Sequence, residues 1–251
     1  MLRVDAGGPV VTLTLDRPEV RNAISDEVIE ALHKAITSQP ETTRVVILRG
    51  EGKAFCAGGD LNWMKKASGY TEEQNYQDAL KLANLFQAMV DAPFVIIARV
   101  HGAAFGGGCG IVAAADVAVA SPNALFSFSE VRLGLIPATI STFVIPKIGA
   151  GNARALFTTG IPFDAEKALR IGLVHDVVSE EDLDAKVEEY VASVLKNGPK
   201  SVALSKKTAV EGPYENEVAA RLLAKVRSED EGKEGVTAFL EKRPASFVVT
   251  R

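Results

Sequence analysis

The sequence predicts an α/β fold, and three observations carry that prediction. Short β-branched runs alternate with amphipathic helical stretches along the chain. Two glycine-rich loops each follow directly on a strand-like run. The 251 residues are 47% hydrophobic and 24% charged, an ordinary balance for a soluble globular protein able to bury a full core. A formal net charge of −4, with no block of like charges, disfavours nucleic acid as a partner. The two cysteines, Cys56 and Cys109, sit among apolar residues and glycines, which fits reduced thiols in a cytoplasmic protein. No basic-then-apolar leader opens the chain, and the uncharged run 102–115 is too short and glycine-rich to cross a membrane.

Val10 to Leu15 alternates as a half-buried strand should, and Asp16 to Ala23 is a proline-marked loop. A helix follows with Ser25 as N-cap, Asp26 and Glu27 at its positive end, and Val28, Leu32, Ala35 and Ile36 on one face. Val45 to Leu48 reads as a buried strand, and the loop 50–61 contains the first glycine cluster. Thr71 and Gln74 form a capping box for a helix with Leu82, Phe86, Met89 and Val90 as its core stripe. Phe94 to Val100 is a further buried strand. It feeds a turn holding Gly106, Gly107 and Gly108, and then a helix of small apolar residues, Ile111 to Ala115.

That second glycine turn organises the chain. Without Cβ atoms, the backbone lets a ligand approach closely, and N–H groups at a helix N-terminus point outward as donors. Such donors can stabilise an enolate oxyanion, and two such loops can supply one N–H each. Tight packing of helix on strand is the plainer reading of glycines alone.

Val117 to Ala120 and Leu125 to Phe128 read as two short strands around a Ser-Pro-Asn turn. They lead to Glu130, a carboxylate in an apolar setting where desolvation would raise its pKa and suit it to proton transfer, unless Arg132 pairs with it. Helical patterns follow over 142–160 and from Pro162, then a turn at Gly172 into a strand. Leu183, Val187, Tyr190, Val191 and Val194 stripe another helix, which Asn197-Gly198-Pro199 ends. The remainder is amphipathic helix, so the organisation expected is a core over 1–195 and a helical segment over 196–251 exposing apolar faces to other subunits. His33 and His101 come with no spaced ligand set, so no metal site is expected.

The stretch I-A-R-V-H-G-A-A-F-G-G-G-C-G-I-V-A-A-A-D (97–116) resembles the signature of the crotonase, or enoyl-CoA hydratase/isomerase, superfamily. Four further stretches resemble family motifs in family order: L-D-R-P-E-V-R-N-A (15–23), K-A-F-C-A-G-G-D-L (53–61), S-E-V-R-L-G-L-I-P (129–137) and G-V-T-A-F-L-E-K-R (235–243). The resemblance implies a spiral of ββα units with a C-terminal helical trimerisation segment, often as dimers of trimers, and an acyl-CoA thioester as substrate. It implies no separate cofactor, coenzyme A being part of the substrate. Gly59 and Gly107 N–H would form the oxyanion hole, with Glu130 as the catalytic acid/base. Arg21, Ala23, Ala57, Asp60 and Leu61 would line the coenzyme A path. Phe239 and Lys242 would complete it, the lysine reaching a phosphate from a neighbouring subunit unless it is a solvated helix charge.

One position departs from the family. Its hydratases usually carry a second glutamate after the glycine run, and here that position is Gly110. The stretch around it is similar to methylglutaconyl-CoA and isohexenylglutaconyl-CoA hydratases, which act in leucine and acyclic-terpene breakdown. Their substrates carry a second carboxylate, for which Arg132 is a candidate partner. A hydratase of this type is the leading expectation. An enoyl-CoA double-bond isomerase and a catalytically weak CoA-thioester-binding protein are the alternatives; RNA binding is disfavoured by the acidic balance. Glu72 and Glu73 are candidates to replace the missing carboxylate.

Overall fold

The computed structural model describes residues 1–249. In chain order it contains β1 (Leu2–Gly7), β2 (Val10–Leu15) and α1 (Asp26–Thr37); β3 (Val45–Gly50), β4 (Ala54–Cys56), α2 (Leu61–Ala67) and α3 (Glu72–Asp91); and β5 (Val95–Val100), β6 (Ala103–Phe105) and α4 (Gly107–Ala114). Then come β7 (Val117–Ala120), β8 (Leu125–Ser127) and α5 (Ala138–Thr159), followed by β9 (Phe163–Asp164), α6 (Ala165–Arg170), β10 (Asp176–Val177) and α7 (Leu183–Leu195). Three helices end the chain: α8 (Pro199–Glu211), α9 (Asn216–Ser228) and α10 (Asp230–Leu240).

Two sheets share the strands. One runs β1-β2-β3-β5-β7-β10, parallel except for the β1–β2 hairpin; the other runs β4-β6-β8-β9, parallel up to β8. The pairs β3/β4, β5/β6 and β7/β8 each send one strand to the large sheet and a short strand to the small one, with helices following each pair. This is the ββα spiral that the resemblance implies. Val117–Ala120 and Leu125–Ser127 are both strands, as read, and belong to different sheets. The three-residue strands β4 and β6 escape sequence reading because so short a run shows no alternation.

The large sheet is covered on both faces, which explains its nearly continuous apolar strands. In β3, Val46 and Leu48 face the main core with α1, α3, α4 and α5, while Val45 and Ile47 pack with Leu183, Val187, Val191 and Leu195 of α7. Helix starts follow the capping rules: Ser25 accepts from Val28 N–H, and Thr71 and Gln74 close a reciprocal capping box. The helix read from residue 142 begins earlier, at Ala138, and carries Pro146 and a left-handed Gly149 (φ 75°) within it.

The C-terminal helices are held from outside. Arg44, itself buried, donates to the carbonyls of Val194, Asn197 and Phe247. Glu231 on α10 accepts from the N–H groups of Lys200 and Ser201 at the start of α8. No residue of α8 or α9 is buried, and no helix among the described residues is long and apolar enough to cross a membrane.

Candidate active site

The site is assembled where β4 and β6 run out side by side. Beyond β4 the chain continues to Gly59, which forms an isolated parallel bridge with Ile24. In that bridge Ile24 N–H donates to Gly58 O (2.7 Å) and Asp60 N–H to Ile24 O (2.8 Å). The bridge does not use the N–H of Gly59 itself, which faces the opposite side, where β6 pairs with β4. Beyond β6, Gly106 takes a left-handed conformation (φ 49°) and α4 begins at Gly107. First-turn N–H groups have no partner inside a helix, so Gly107 presents its own outward.

Ile24 links the two glycines. Its backbone pairs with Gly59, and its Cδ1 lies 2.8 Å from where a Cβ on Gly107 would stand. Cys56 O lies 2.5 Å from a Cβ built on Gly108, so the first turn of α4 sits directly on the end of β4. Gly59 is exposed and Gly107 half-buried, while Gly106, Gly108 and Gly110 are buried. Gly59 and Gly107, the two glycines assigned by resemblance, are thus the less buried residues of this set.

Glu130 opens a short 3-10 turn, Glu130–Leu133, after β8. Its Oε1 lies 3.4 Å from a Cβ built on Gly106, one residue before Gly107 at the start of α4. Its Oε2 is buried without a hydrogen-bond partner, and burial raises its pKa above the ordinary carboxylate range. A desolvated, unpaired carboxyl holds a proton more readily than an ordinary one and can act as a general acid/base. Arg132 does not pair with it: the Arg132 Nε packs 3.4 Å from a Cβ built on Gly160, at the C-terminal end of α5.

Gly110 is more than a missing carboxylate. A Cβ there would stand 2.6 Å from Phe86 Cζ and 2.7 Å from Ile140 Cγ2, both fully buried side chains. Phe143 meets the Phe86 ring edge-on at 5.6 Å. The place is filled with packed hydrocarbon, with no room for a side chain. Glu72 and Glu73 do not replace it. They are exposed in the first turn of α3, thirteen or more residues and so about 20 Å from Phe86 along that helix.

The loops are tied by a pair that sequence reading missed. Arg17 donates to Asp60 Oδ2 at 2.8 Å and to Ala23 O at 3.0 Å. Asp60 is buried and also caps α2 through Asn62 N–H and Trp63 N–H. Burial would raise its pKa, but these donors outweigh burial and hold the carboxyl below its ordinary value. The side chain of Asp60 therefore faces its own protein, and its backbone N–H is taken by Ile24 O. Buried Asn22, in the left-handed region (φ 56°), bonds Glu51 O and Ala54 O and fixes the neighbouring Arg21 (φ 53°).

Of the other residues expected on the coenzyme path, Arg21 and Leu61 are exposed, Ala57 is half-buried and Ala23 is buried. Phe239 is 82% exposed on α10, and Lys242 lies just beyond it. Among the described residues no hydrogen bond or ion pair joins α10 to the loops of Gly59 and Gly107. Trp63 and Met64 of α2 lie against Gly59, with Met64 Sδ 3.3 Å from its Cβ position. Helix α2 is not among the helices read from the sequence; Asp60 as an N-cap residue is the signal that could have found it. His101 is structural, as expected: it is buried, with Nε2 2.8 Å from Gly52 O. No cluster of metal-binding side chains occurs among the described residues. Both cysteines are free and buried, and burial pushes the Cys56 thiol up to about 12.

Residues 5–249 match the family model described as enoyl-CoA hydratase/isomerase. A crotonyl-CoA hydratase from Syntrophomonas wolfei is 34% identical over 248 residues, covering 95% of this chain and 94% of the relative. A trans-2-decenoyl-[acyl-carrier-protein] isomerase from Streptococcus mutans is 32% identical over 258 residues, covering 98% and 97%. The crystal structure of an enoyl-CoA hydratase from Shewanella pealeana superposes with a TM-score of 0.93 at 36% identity, covering 98% of this chain and 95% of that one. With this agreement over nearly its whole length, and with two glycine amides and a desolvated carboxyl at its centre, the chain is an enzyme of the enoyl-CoA hydratase/isomerase family.

Proposed function

We propose that this enzyme adds water to an enoyl-CoA whose acyl group carries a second carboxylate, of the methylglutaconyl-CoA type, with Glu130 as its one acid/base. The supporting observation is the unpaired Oε2 of Glu130 beside α4 together with the packed wall at Gly110. Gly59 and Gly107 N–H hold the thioester oxygen and stabilise the enolate. Glu130 takes a proton from water as the oxygen bonds to Cβ, and the electron pair of the double bond moves to the enolate. The protonated carboxyl then returns that proton to Cα, so one water is added and Glu130 ends as it began.

Arg21, Ala23, Ala57 and Leu61, with the backbone at Asp60, line the coenzyme path. Phe239 and Lys242 complete it from a neighbouring subunit in a trimer. The distal carboxylate pairs with Arg132, which is exposed and has no ion-pair partner among the described residues. Steady-state kinetics on methylglutaconyl-CoA and crotonyl-CoA test this. The first substrate should be preferred, and Arg132→Gln should raise its KM by roughly tenfold while leaving crotonyl-CoA unaffected. Equal effects on both substrates would remove Arg132 from the acyl site. The closed wall at Gly110 also favours a second reading, a double-bond isomerase, which would move the double bond of a 3-enoyl-CoA without gaining water.

A further inference from the structure

The far end of α4 carries a feature that the proposed chemistry does not use. Lys147 of α5 reaches under the helix and donates to Ala115 O at 2.6 Å, with Val112 O at 3.5 Å. These are carbonyls at the C-terminal end of the helix whose N-terminal amide is Gly107. Asp116, next along the chain, accepts from Ile96 N–H at 2.7 Å and from Lys206 of α8 at 2.9 Å. The nearly buried Lys206 also donates to Met89 O and Phe94 O. His175 completes the cluster, its Nδ1 accepting from Ala118 N–H at 2.9 Å.

The charged group acting on Lys147 is Asp116, which also binds Lys206; His175 in turn feels Lys147, Asp176 and Asp116. Burial and the positive charge of Lys147 lower the pKa of His175, which keeps it neutral at neutral pH. Two cations, Lys147 and Lys206, share the carboxylate of Asp116, and the Lys147 ammonium is the one bonded to the carbonyls at the end of α4. A cation at a helix C-terminus reinforces the macrodipole, and the eight residues of α4 put the opposite end only about 12 Å away. Lys147 also lies on the same helix as Ile140, which packs on Gly110 in the first turn of α4. One helix thus holds α4 at both ends.

We infer that Lys147 is a positioning residue for catalysis: its ammonium fixes the C-terminal end of α4 and strengthens the pull of the Gly107 amide on the thioester carbonyl. The inference rests on the reading of Gly107 as an oxyanion donor. Burial lowers the pKa of Lys147 to about 8, so the effect belongs to the lower side of that pH and fades above it.

Isotope-edited infrared spectroscopy of crotonyl-CoA labelled at the thioester carbonyl tests this, using Glu130→Gln protein so that the bound ligand does not turn over. In Glu130→Gln alone the carbonyl stretch should fall below its solution frequency at pH 7. Adding Lys147→Met should move it part of the way back, with the dissociation constant changed by less than about threefold, and Lys147→Arg should restore it. In an otherwise wild-type background Lys147→Met should lower kcat several-fold with little change in KM. A stretch lowered in Glu130→Gln and unmoved by Lys147→Met overturns the role of Lys147. A stretch not lowered in Glu130→Gln overturns the oxyanion reading beneath it. Should Lys147→Met not fold, the stretch is followed against pH in Glu130→Gln: a return toward the solution value with a midpoint near 8 supports the inference, and a flat profile overturns it.

Discussion

At Gly59 the N–H rather than the glycine itself carries the proposed chemistry, and the bridge to Ile24 lets the two be separated. The bridge uses Gly58 O and Asp60 N–H, so a proline at 59 removes one donor without touching either hydrogen bond. Gly59→Pro should lower kcat by roughly 10²–10³, as loss of one oxyanion donor does, while Gly59→Ala keeps most activity because only the flexible Met64 must shift. Steady-state kinetics of the pair checks this. Glu130 also has a signature in stability. Its folded pKa lies above the unfolded value, so the folded state holds its proton more tightly. Stability then falls as pH rises from the unfolded carboxylate range through the raised folded value. Glu130→Gln removes that loss, and thermal unfolding should show a larger gain in Tm at pH 7 than at pH 4. Both residues were legible in the sequence because the motifs around them are contiguous.

At the scale of elements, what escaped the sequence was what lies between motifs. The wall at Gly110 joins α3, α4 and α5, and nothing local to residue 110 reveals Phe86 or Ile140. Phe86 was legible as core stripe; that its ring abuts the fourth residue of α4 follows only from how the helices cross. The Arg17–Asp60 pair likewise spans 43 positions. The wall makes the position intolerant of any side chain. Gly110→Ala forces a methyl to within 2.6 Å of Phe86 and should cost about 1–3 kcal/mol in denaturant unfolding. Gly110→Glu should cost more and should not increase hydration. Phe86→Ala does not rescue it, because Ile140 Cγ2 still stands 2.7 Å from the Cβ position, so the double variant should remain less stable than the wild type.

For the whole molecule, the alternation of strands and helices was readable, and so were the central strands β2, β3, β5 and β7 of the large sheet. Of the small sheet only β8 was readable, because its other strands are two or three residues long and owe their existence to neighbours in other units. The boundary expected near residue 196 falls at the turn between α7 and α8, where Arg44 and Glu231 anchor the C-terminal segment. Apolar side chains remain outward on this segment: Val236 is 59%, Phe239 82% and Leu240 73% exposed. Burying them between copies is what a trimer through these helices would do. Sedimentation equilibrium should give a trimer or its multiple, and Phe239→Glu with Leu240→Glu should dissociate it and raise KM for the thioester.

The claim on which the rest depends is that Glu130 alone handles both the water and the proton. It is tested most directly by mass spectrometry of methylglutaconyl-CoA incubated in D₂O with wild-type and Glu130→Gln enzyme. The account predicts a gain of one water with one carbon-bound deuterium, slowed by roughly 10²–10⁴ in the variant. Water gain at an undiminished rate with Glu130→Gln, or deuterium uptake by the wild type without water, would contradict it.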